Sequence, residues 1–579
     1  MIPSSDRITY LIRTLYPNDA WWLKNAIAER ISDFRLKYPQ KGDSRPLAQL
    51  ITEQDVILIT YGDQFQQQGK PHLQTLVYFF DTYLSDVVQG IHLLPFFPYS
   101  SDDGFSIVDY KQIAPESGDW SDIAYLKQSG YRLMVDAVIN HISRESEWFQ
   151  RFLGGEEYYR DFFIVVDSDI DLSNVIRPHA LPLLTAVETQ EGEKYVWTTF
   201  SADQIDLNYA NPRVTLAIID VILFYVGQGA DIIRLDAIAY LWKEVGTTCI
   251  HLPQTHLIIK LWRAILDVVA PDVLLITETN VPHQENVSYF GNYLPETGKT
   301  DEAQLVYNFT LAPLALYAFL AGDATKLSRW ASTLSTPPGA LFFNFIASHD
   351  GIGVRPAEGI LSSSEIRALV RRTLVNGGQV GYKANPDGSK SVYELNITLY
   401  DFLNDPEHEI QSVEVDRFMA LQSVLLVLAG VPGIYVHSLF GSRNCYKCYQ
   451  VTGRVRSLNR EKFQLEQLEA LLADDGSQQA KILARYKYLL RVRRAHAAFH
   501  PFGEQHLLEL HSAIFSVLRI AIDNSEQILC LTNVSDQPQT ISLPAGRWCN
   551  LLADQKDMSG NATVLAYEVL WLLRLDEGD

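Results

Sequence analysis

Residues 229–244 read GADIIRLDAIAYLWKE. Ile232, Ile233 and Leu235 favour a buried strand, yet Arg234 and Asp236 interrupt them two positions apart. Side chains alternate along a strand, so Ile232, Arg234 and Asp236 share one face while Ile233 and Leu235 take the other. A structural ion pair is the plain reading. Desolvating two charges is costly, however, and such pairs are weak evidence for stability, so the position at the end of a strand favours chemistry.

Working outward, the same kind of short apolar run with a polar ending recurs along the chain. DVILITYGD (55–63), GIHLLPFFP (90–98), YRLMVDAVINH (131–141), DIIRLDA (231–237), DVLLITETN (272–280), QLVYNF (304–309), ALFFNFIASHD (340–350) and VPGIYVHS (431–438) make eight. Between them lie amphipathic stretches such as VTLAIIDVILFYVGQGA (214–230) and THLIIKLWRAILDVVAP (255–271). Strand alternating with helix eight times predicts an α/β fold, a (β/α)8 TIM barrel, whose functional groups sit where the strands end.

The barrel is expected over 54–141 and 209–500, after a helical N-terminal extension over 1–53. The intervals 142–208 and 351–404 are too long for crossover helices and are expected to be inserted subdomains over the barrel mouth. The tail 505–579 carries AIFSVLRIAI, EQILCLTNV, QTISLP and EVLWLLRL between turn residues, the pattern of a C-terminal antiparallel β-domain.

A formal charge of -21 opposes nucleic acid and anionic membranes as partners, though a local basic patch could still hold a small anion. No apolar run approaches the length of a membrane span, and Asp6, Arg7, Arg13 and Asp19 do not read as a secretory leader, so a soluble, cytoplasmic protein is expected. The five cysteines form no disulfide framework. Cys445 and Cys448 make a lone CxxC without further ligands, so no metal is expected.

Glu278 ends the LLITETN run, and His349 with Asp350 ends NFIASHD, so three carboxylates at three strand ends converge on one mouth. Two carboxylates acting on a sugar suit cleavage of a glycosidic bond, one attacking the anomeric carbon and the other protonating the leaving oxygen. Arg234 would keep Asp236 ionised, while Glu278 would need a raised pKa. Asn140, His141, Asp102 and Phe105 add polar groups and an aromatic platform for a pyranose ring. His141 and Phe105 are equally readable as core residues.

DAVINH, GADIIRLDA, ITETN and IASHD, in that order, resemble the motifs of the α-amylase superfamily, glycoside hydrolase family 13. IHLLPFFPYSSDDGFSIVDY, NHISRESEWF, LDAIAYLWKEVGTTCIHLPQTH and SHDGIGVRPAEGIL narrow the likeness to its sucrose phosphorylase subfamily, over about residues 55–500. Within that subfamily YSSDDGFS, VYELN and the GSRN…TGRVRSLNREK segment look most like glucosylglycerate phosphorylases, with sucrose 6'-phosphate phosphorylases next.

The resemblance implies Asp236 as nucleophile, Glu278 as general acid/base and Asp350 as transition-state stabiliser. It implies that Arg234, His141, His349, Asp102, Phe105 and Arg460 form the glucose subsite, with Tyr240 and Tyr393 nearer the acceptor. It implies no cofactor and no calcium, with inorganic phosphate as co-substrate. One departure stands out: Glu394 of YELN occupies a position where sucrose phosphorylases typically carry Gln, which turns an amide into an acceptor-only carboxylate and weakens plain sucrose as substrate.

The implied activity is retaining phosphorolysis of a small α-glucoside, glucosylglycerate first, with sucrose 6'-phosphate or sucrose as alternatives. A retaining α-glucosidase or transglucosidase is a further reading, and an inactive amylase-like scaffold is opposed by the intact carboxylates. Arg144, Arg443, Arg454 and Arg456 are candidates for the phosphate, and each is equally readable as a surface arginine. Oligomeric state has no signature in the sequence.

Overall fold

A computed structural model describes residues 4–39, 44–178, 181–384, 389–406, 412–553 and 557–575. Eight strands close into a barrel: β1 (Ile57–Thr60), β2 (Gly90–Leu93), β3 (Arg132–Ala137), β4 (Ile232–Leu235), β5 (Leu274–Thr277), β6 (Leu305–Tyr307), β7 (Leu341–Asn344) and β8 (Val431–Tyr435). Every neighbouring pair is parallel, and β1 seals the ring by pairing with both β2 and β8. Each strand contains one of the eight apolar runs. They read as apolar because both faces are covered, the inner by the barrel core and the outer by helices such as Pro212–Gly227 and Pro253–Val269.

The helices Ser4–Leu15 and Ala20–Lys37 lie against the outside of this ring. Arg7 pairs with Asp267 at 3.1 Å, Arg30 grips Asp220 through two nitrogens at 2.6 and 3.0 Å, and the Tyr16 hydroxyl donates to the Tyr209 carbonyl at 2.7 Å. The two ion pairs fall on the two barrel helices above and the Tyr16 bond falls just before the first of them, so the N-terminal pair braces the barrel wall.

Two insertions rise from the C-terminal ends of the strands. The one between β3 and β4 pairs His141–Ser143 with Gln204–Asp206 and adds a three-stranded antiparallel sheet of Val165–Val166, Gly192–Trp197 and Leu184–Thr189. The one after β7 is a sheet of Ile352–Gly353, Lys390–Asn396 and Gln379–Ala384. A third cover, folded from the chain after β8, comprises the helix Tyr446–Thr452, a 3-10 turn at Val455–Asn459 and the strand Phe463–Gln464, which pairs with Phe65–Gln66. Cys445 and Cys448, the lone CxxC pair, are bonded to each other at the start of that helix, a single bond that the sequence reading did not propose. The first helical turn brings their Cα atoms to 5.2 Å, inside the span a disulfide bridges.

Residues from Glu504 to Leu575 form a six-stranded antiparallel sheet and a separate two-stranded one. Among the described residues no helix is long and apolar enough to cross a membrane.

Gly433 in β8 shows how tightly the barrel interior is filled, because a Cβ there would stand 2.3 Å from Cζ of the buried Phe343 on β7. Overpacking of this kind costs about 1–3 kcal/mol. Gly433→Ala is expected to lower the unfolding free energy measured in urea by that amount, and an unchanged free energy would show that the ring gives way freely.

Candidate active site

The site begins with the register between β3 and β4. Arg234 lies directly opposite Asp136, so a guanidinium and a carboxylate meet inside the barrel. Arg234 Nη1 donates to Asp136 and, at 2.7 Å, to Asp236 Oδ1. His92 of β2 approaches the second Asp136 oxygen at 2.6 Å through Nε2. Burial disfavours the imidazolium, so His92 is neutral and donates its single proton there. Burial alone would raise Asp136, but Arg234 and His92 outweigh it and hold the carboxyl below its ordinary value.

Asp236 follows the last residue of β4, and Ala237 turns the chain with a positive φ of 48°. That turn aims the Ala237 N–H at Glu278 Oε2, 3.1 Å away, so the carboxyl groups at the ends of β4 and β5 become neighbours. Burial pushes the Asp236 carboxyl up to about 8 and raises Glu278 as well, and their mutual repulsion adds to the rise at Asp236. Arg234 does less for Asp236 than its proximity promises, because it is already balanced by Asp136, which itself repels Asp236. The pair therefore holds one proton between them around neutrality. Only Asp236 receives a guanidinium hydrogen bond, which places the charge on Asp236 and the proton on Glu278.

Asp350, beyond the end of β7, is the opposite case. Burial would raise it, but the guanidinium groups of Arg456, Arg460 and Arg234 together hold it far below the ordinary carboxylate range. Arg456 Nη1 sits 2.6 Å from Asp350 Oδ1. His349 is kept neutral by burial, with its pKa lowered to about 3, and stacks face to face on Phe105 at 4.8 Å.

Phe105 follows the Asp102-Asp103-Gly104 turn, in which both aspartates take positive φ of 56° and 49°. Gly104 is required there, since a Cβ would fall 2.6 Å from the Pro95 carbonyl oxygen. The turn divides the two carboxylates. Asp103 is held by Arg460 Nη1 at 2.6 Å, leaving Asp102 on the cavity wall. Arg460 also donates from Nε to the His349 carbonyl at 2.8 Å, tying the third cover to the end of β7.

These groups surround a cavity of about 730 Å³, within the ~300–1,000 Å³ usual for small-ligand clefts. Asp102, Phe105, His141, Asp236, Tyr240, Glu278, His349, Asp350, Tyr393, Glu394 and Arg460 all line it. Arg234 lies beneath the floor, with its guanidinium 5.5 Å from the Tyr307 ring and 5.8 Å from Phe105. His141 Nε2 is 2.9 Å from the Phe105 carbonyl and therefore carries a proton, and Gln204 donates to the same oxygen at 3.1 Å. Asn140 is buried behind the wall, where its Oδ1 accepts from Lys243 at 2.7 Å.

Of the four loop arginines singled out as anion binders, Arg454 and Arg456 reach the cavity. Arg144 is exposed outside its lining, and Arg443 pairs with Asp401 at 3.0 Å elsewhere. Glu394 is only 5 % exposed, lines the cavity and accepts from Arg456 through both oxygens at 3.1 Å each. Asp136, His92, Gln204 and the buried Lys243–Asp206 pair were not identified from the sequence. Asp136 left one signal there, a carboxylate within the apolar run YRLMVDAV. Among the described residues no cluster of three or more His, Cys, Asp and Glu side chains is arranged to hold a metal ion.

The chain's likenesses agree with this geometry. The model of the α-amylase catalytic domain matches residues 82–346. A glucosylglycerate phosphorylase of Allomeiothermus silvanus is 52% identical over 505 residues, covering 86% of this chain and 89% of the relative. One of Spirochaeta thermophila is 47% identical over 543 residues, covering 93% and 91%. The crystal structure of a sucrose 6F-phosphate phosphorylase from Thermoanaerobacter thermosaccharolyticum superposes with a TM-score of 0.72 at 24% identity, covering 88% of this chain and 98% of that one, a likeness of fold.

The raised titration of the Asp236–Glu278 pair makes its full ionisation a cost to the fold. A group whose folded pKa lies above its unfolded one adds stability at low pH and loses it as pH rises through the folded value. Wild type should therefore lose stability between about pH 4, the ordinary carboxyl range, and about 8. Asp236→Asn keeps the Arg234–Asp136 pair and removes the buried charge, so its melting temperature should exceed that of wild type by a margin that widens with pH over this window. A margin that narrows would show that Asp236 is stabilised by its surroundings.

Proposed function

The chain belongs to the α-amylase family, glycoside hydrolase family 13, in the branch that holds the glucosylglycerate phosphorylases, and on that premise we propose that it phosphorolyses glucosylglycerate with retention. It is a glycoside phosphorylase, an enzyme that transfers glucose from a small α-glucoside to inorganic phosphate. The observation that carries the mechanism is the pairing of a guanidinium-bound Asp236 with a proton-holding Glu278 across the Ala237 N–H.

In the first step Asp236 attacks the anomeric carbon while Glu278 protonates the departing glycerate oxygen, giving a β-glucosyl ester. The negative charge of Asp350 opposes the positive charge that develops on the ring. In the second step phosphate attacks the same carbon from the face the glycerate left, Glu278 takes up the phosphate proton, and α-glucose 1-phosphate departs with Asp236 restored. Two inversions make retention.

Both glycerate and phosphate are anions, and the protein carries a formal charge of -21, so the acceptor region needs an uncommitted cation. Arg460 is balanced by Asp103, and Arg456 is balanced by Asp350 and Glu394. Arg454 lines the cavity with 47% of its side chain exposed, and its nearest carboxylate, Asp103 at 3.9 Å, is already paired with Arg460. It is the lining arginine best placed to meet an anion. Arg454→Gln should raise the KM for phosphate about tenfold, the loss of one charge-assisted hydrogen bond, with a smaller effect on kcat. An unchanged KM in phosphate titrations would remove Arg454 from that role.

The activity itself is tested by incubating glucosylglycerate, glucosylglycerol, sucrose and sucrose 6'-phosphate with and without phosphate and assaying glucose 1-phosphate. Glucosylglycerate should show the highest kcat/KM, strictly dependent on phosphate. Glucose release indifferent to phosphate would instead identify an α-glucosidase or transglucosidase.

A further inference from the structure

We infer that Arg456 is a positioning residue for Asp350, clamped in place by Glu394, and takes no part in binding phosphate or glycerate. The inference rests on the proposed glucosyl transfer but not on its acceptor.

The hydrogen bonds account for every nitrogen of the guanidinium. Arg456 Nε and Nη2 donate to Glu394 Oε1 and Oε2 at 3.1 Å each, and Nη1 stands 2.6 Å from Asp350 Oδ1. The two-point contact fixes the plane of the fork, and the third nitrogen then fixes Asp350. The other cation nearby stands farther from that carboxylate, with Arg460 Nη2 3.9 Å from Oδ1, and the neutral His349 ring is 3.5 Å from Oδ2.

Charge counting gives the same answer. One cation lies between two carboxylates, so the trio is net negative, and an incoming phosphate dianion would be repelled rather than captured. The trio also joins three separate pieces of chain: the end of β7, the strand Lys390–Asn396 and the 3-10 turn Val455–Asn459.

Glu394 is held as firmly as what it holds. Its side chain passes between Gly351 and Gly381, where an added Cβ would fall 2.9 Å from Glu394 Cδ and 3.0 Å from its Cγ. Gly351 directly follows Asp350, so the absent side chain at 351 is what lets Glu394 reach beneath the carboxylate it serves. A carboxylate at 394 supplies two acceptors to the fork, whereas glutamine would offer one acceptor and a donor that opposes an arginine N–H.

The decisive experiment uses α-glucosyl fluoride, because fluoride release reports formation of the glucosyl enzyme before any phosphate is needed. Arg456→Ala should slow fluoride release on the order of 10²-fold, the scale for misplacing a transition-state group, with partial recovery on adding millimolar guanidinium. Arg456→Lys, which keeps the charge, and Glu394→Gln, which keeps one acceptor, should each lose less. The Arg456→Ala/Glu394→Ala double variant should be no slower than Arg456→Ala alone, since both act through one contact. In phosphorolysis the KM for phosphate should stay within about twofold of wild type, a split that an anion-binding residue would reverse.

Unchanged fluoride release with a tenfold higher KM for phosphate in Arg456→Lys or Arg456→Ala would overturn the inference. So would a loss that guanidinium does not restore and that tracks a fall in melting temperature, which marks a purely structural role. A wild-type protein that releases fluoride but forms no glucose 1-phosphate would sink the phosphorylase reading while leaving this test intact.

Discussion

A guanidinium buried between two carboxylates is the interaction on which the rest of the site depends. Arg234 is 2% exposed and touches both Asp136 and Asp236, and His92 closes the chain of hydrogen bonds behind them. Breaking a buried pair by removing one partner typically costs about 3–5 kcal/mol, so the barrel cannot shift β3 against β4 without losing it. The same register that satisfies Asp136 presents Asp236 at the rim, and the left-handed turn at Ala237 then delivers a backbone N–H to Glu278. Fold and chemistry meet in that one alignment of Arg234 with Asp136.

Above this fixed floor, separate chain segments contribute counter-charges. The turn at 102–104 sends Asp103 to Arg460, the insertion after β7 sends Glu394 to Arg456, and the cover after β8 supplies both arginines. Each pairing removes a charge that would otherwise act on a ligand, so an acidic protein can present selected charges to an anionic acceptor. Asp350 is thereby held ionised, Asp236 and Glu278 are left to share one proton, and Arg454 remains lightly engaged at the entrance. The carboxylates thus differ in protonation because their neighbours differ, which is what a two-step displacement requires.

Much of this was legible in the sequence. The eight apolar runs contain the eight barrel strands, because doubly covered strands need continuous apolar residues, and the alternation in DIIRLDA places Arg234 and Asp236 together. The polar strand endings pointed to Glu278, His349 and Asp350 for the same geometric reason. What stayed hidden were partners chosen by register or by loop folding. Nothing local tells that Asp136 lies beside Arg234, that Glu394 reaches across two glycines to Arg456, or that Cys445 and Cys448 bond. The segment after β8 was the hardest to read, since its short helix, 3-10 turn and two-residue strand have too little periodicity to mark a cover over the mouth.

The account stands or falls on whether Asp236 carries the glucosyl group and phosphate removes it. Glu278→Gln with α-glucosyl fluoride should accumulate the intermediate, because fluoride leaves without acid assistance while removal of the glucosyl group still lacks its proton acceptor. Peptide mass spectrometry of the quenched protein should find one added glucosyl residue on Asp236. In a parallel wild-type sample, phosphate should draw the glucosyl group into α-glucose 1-phosphate faster than water releases glucose. An adduct on any other residue, no adduct at all, or turnover that ignores phosphate would contradict the account.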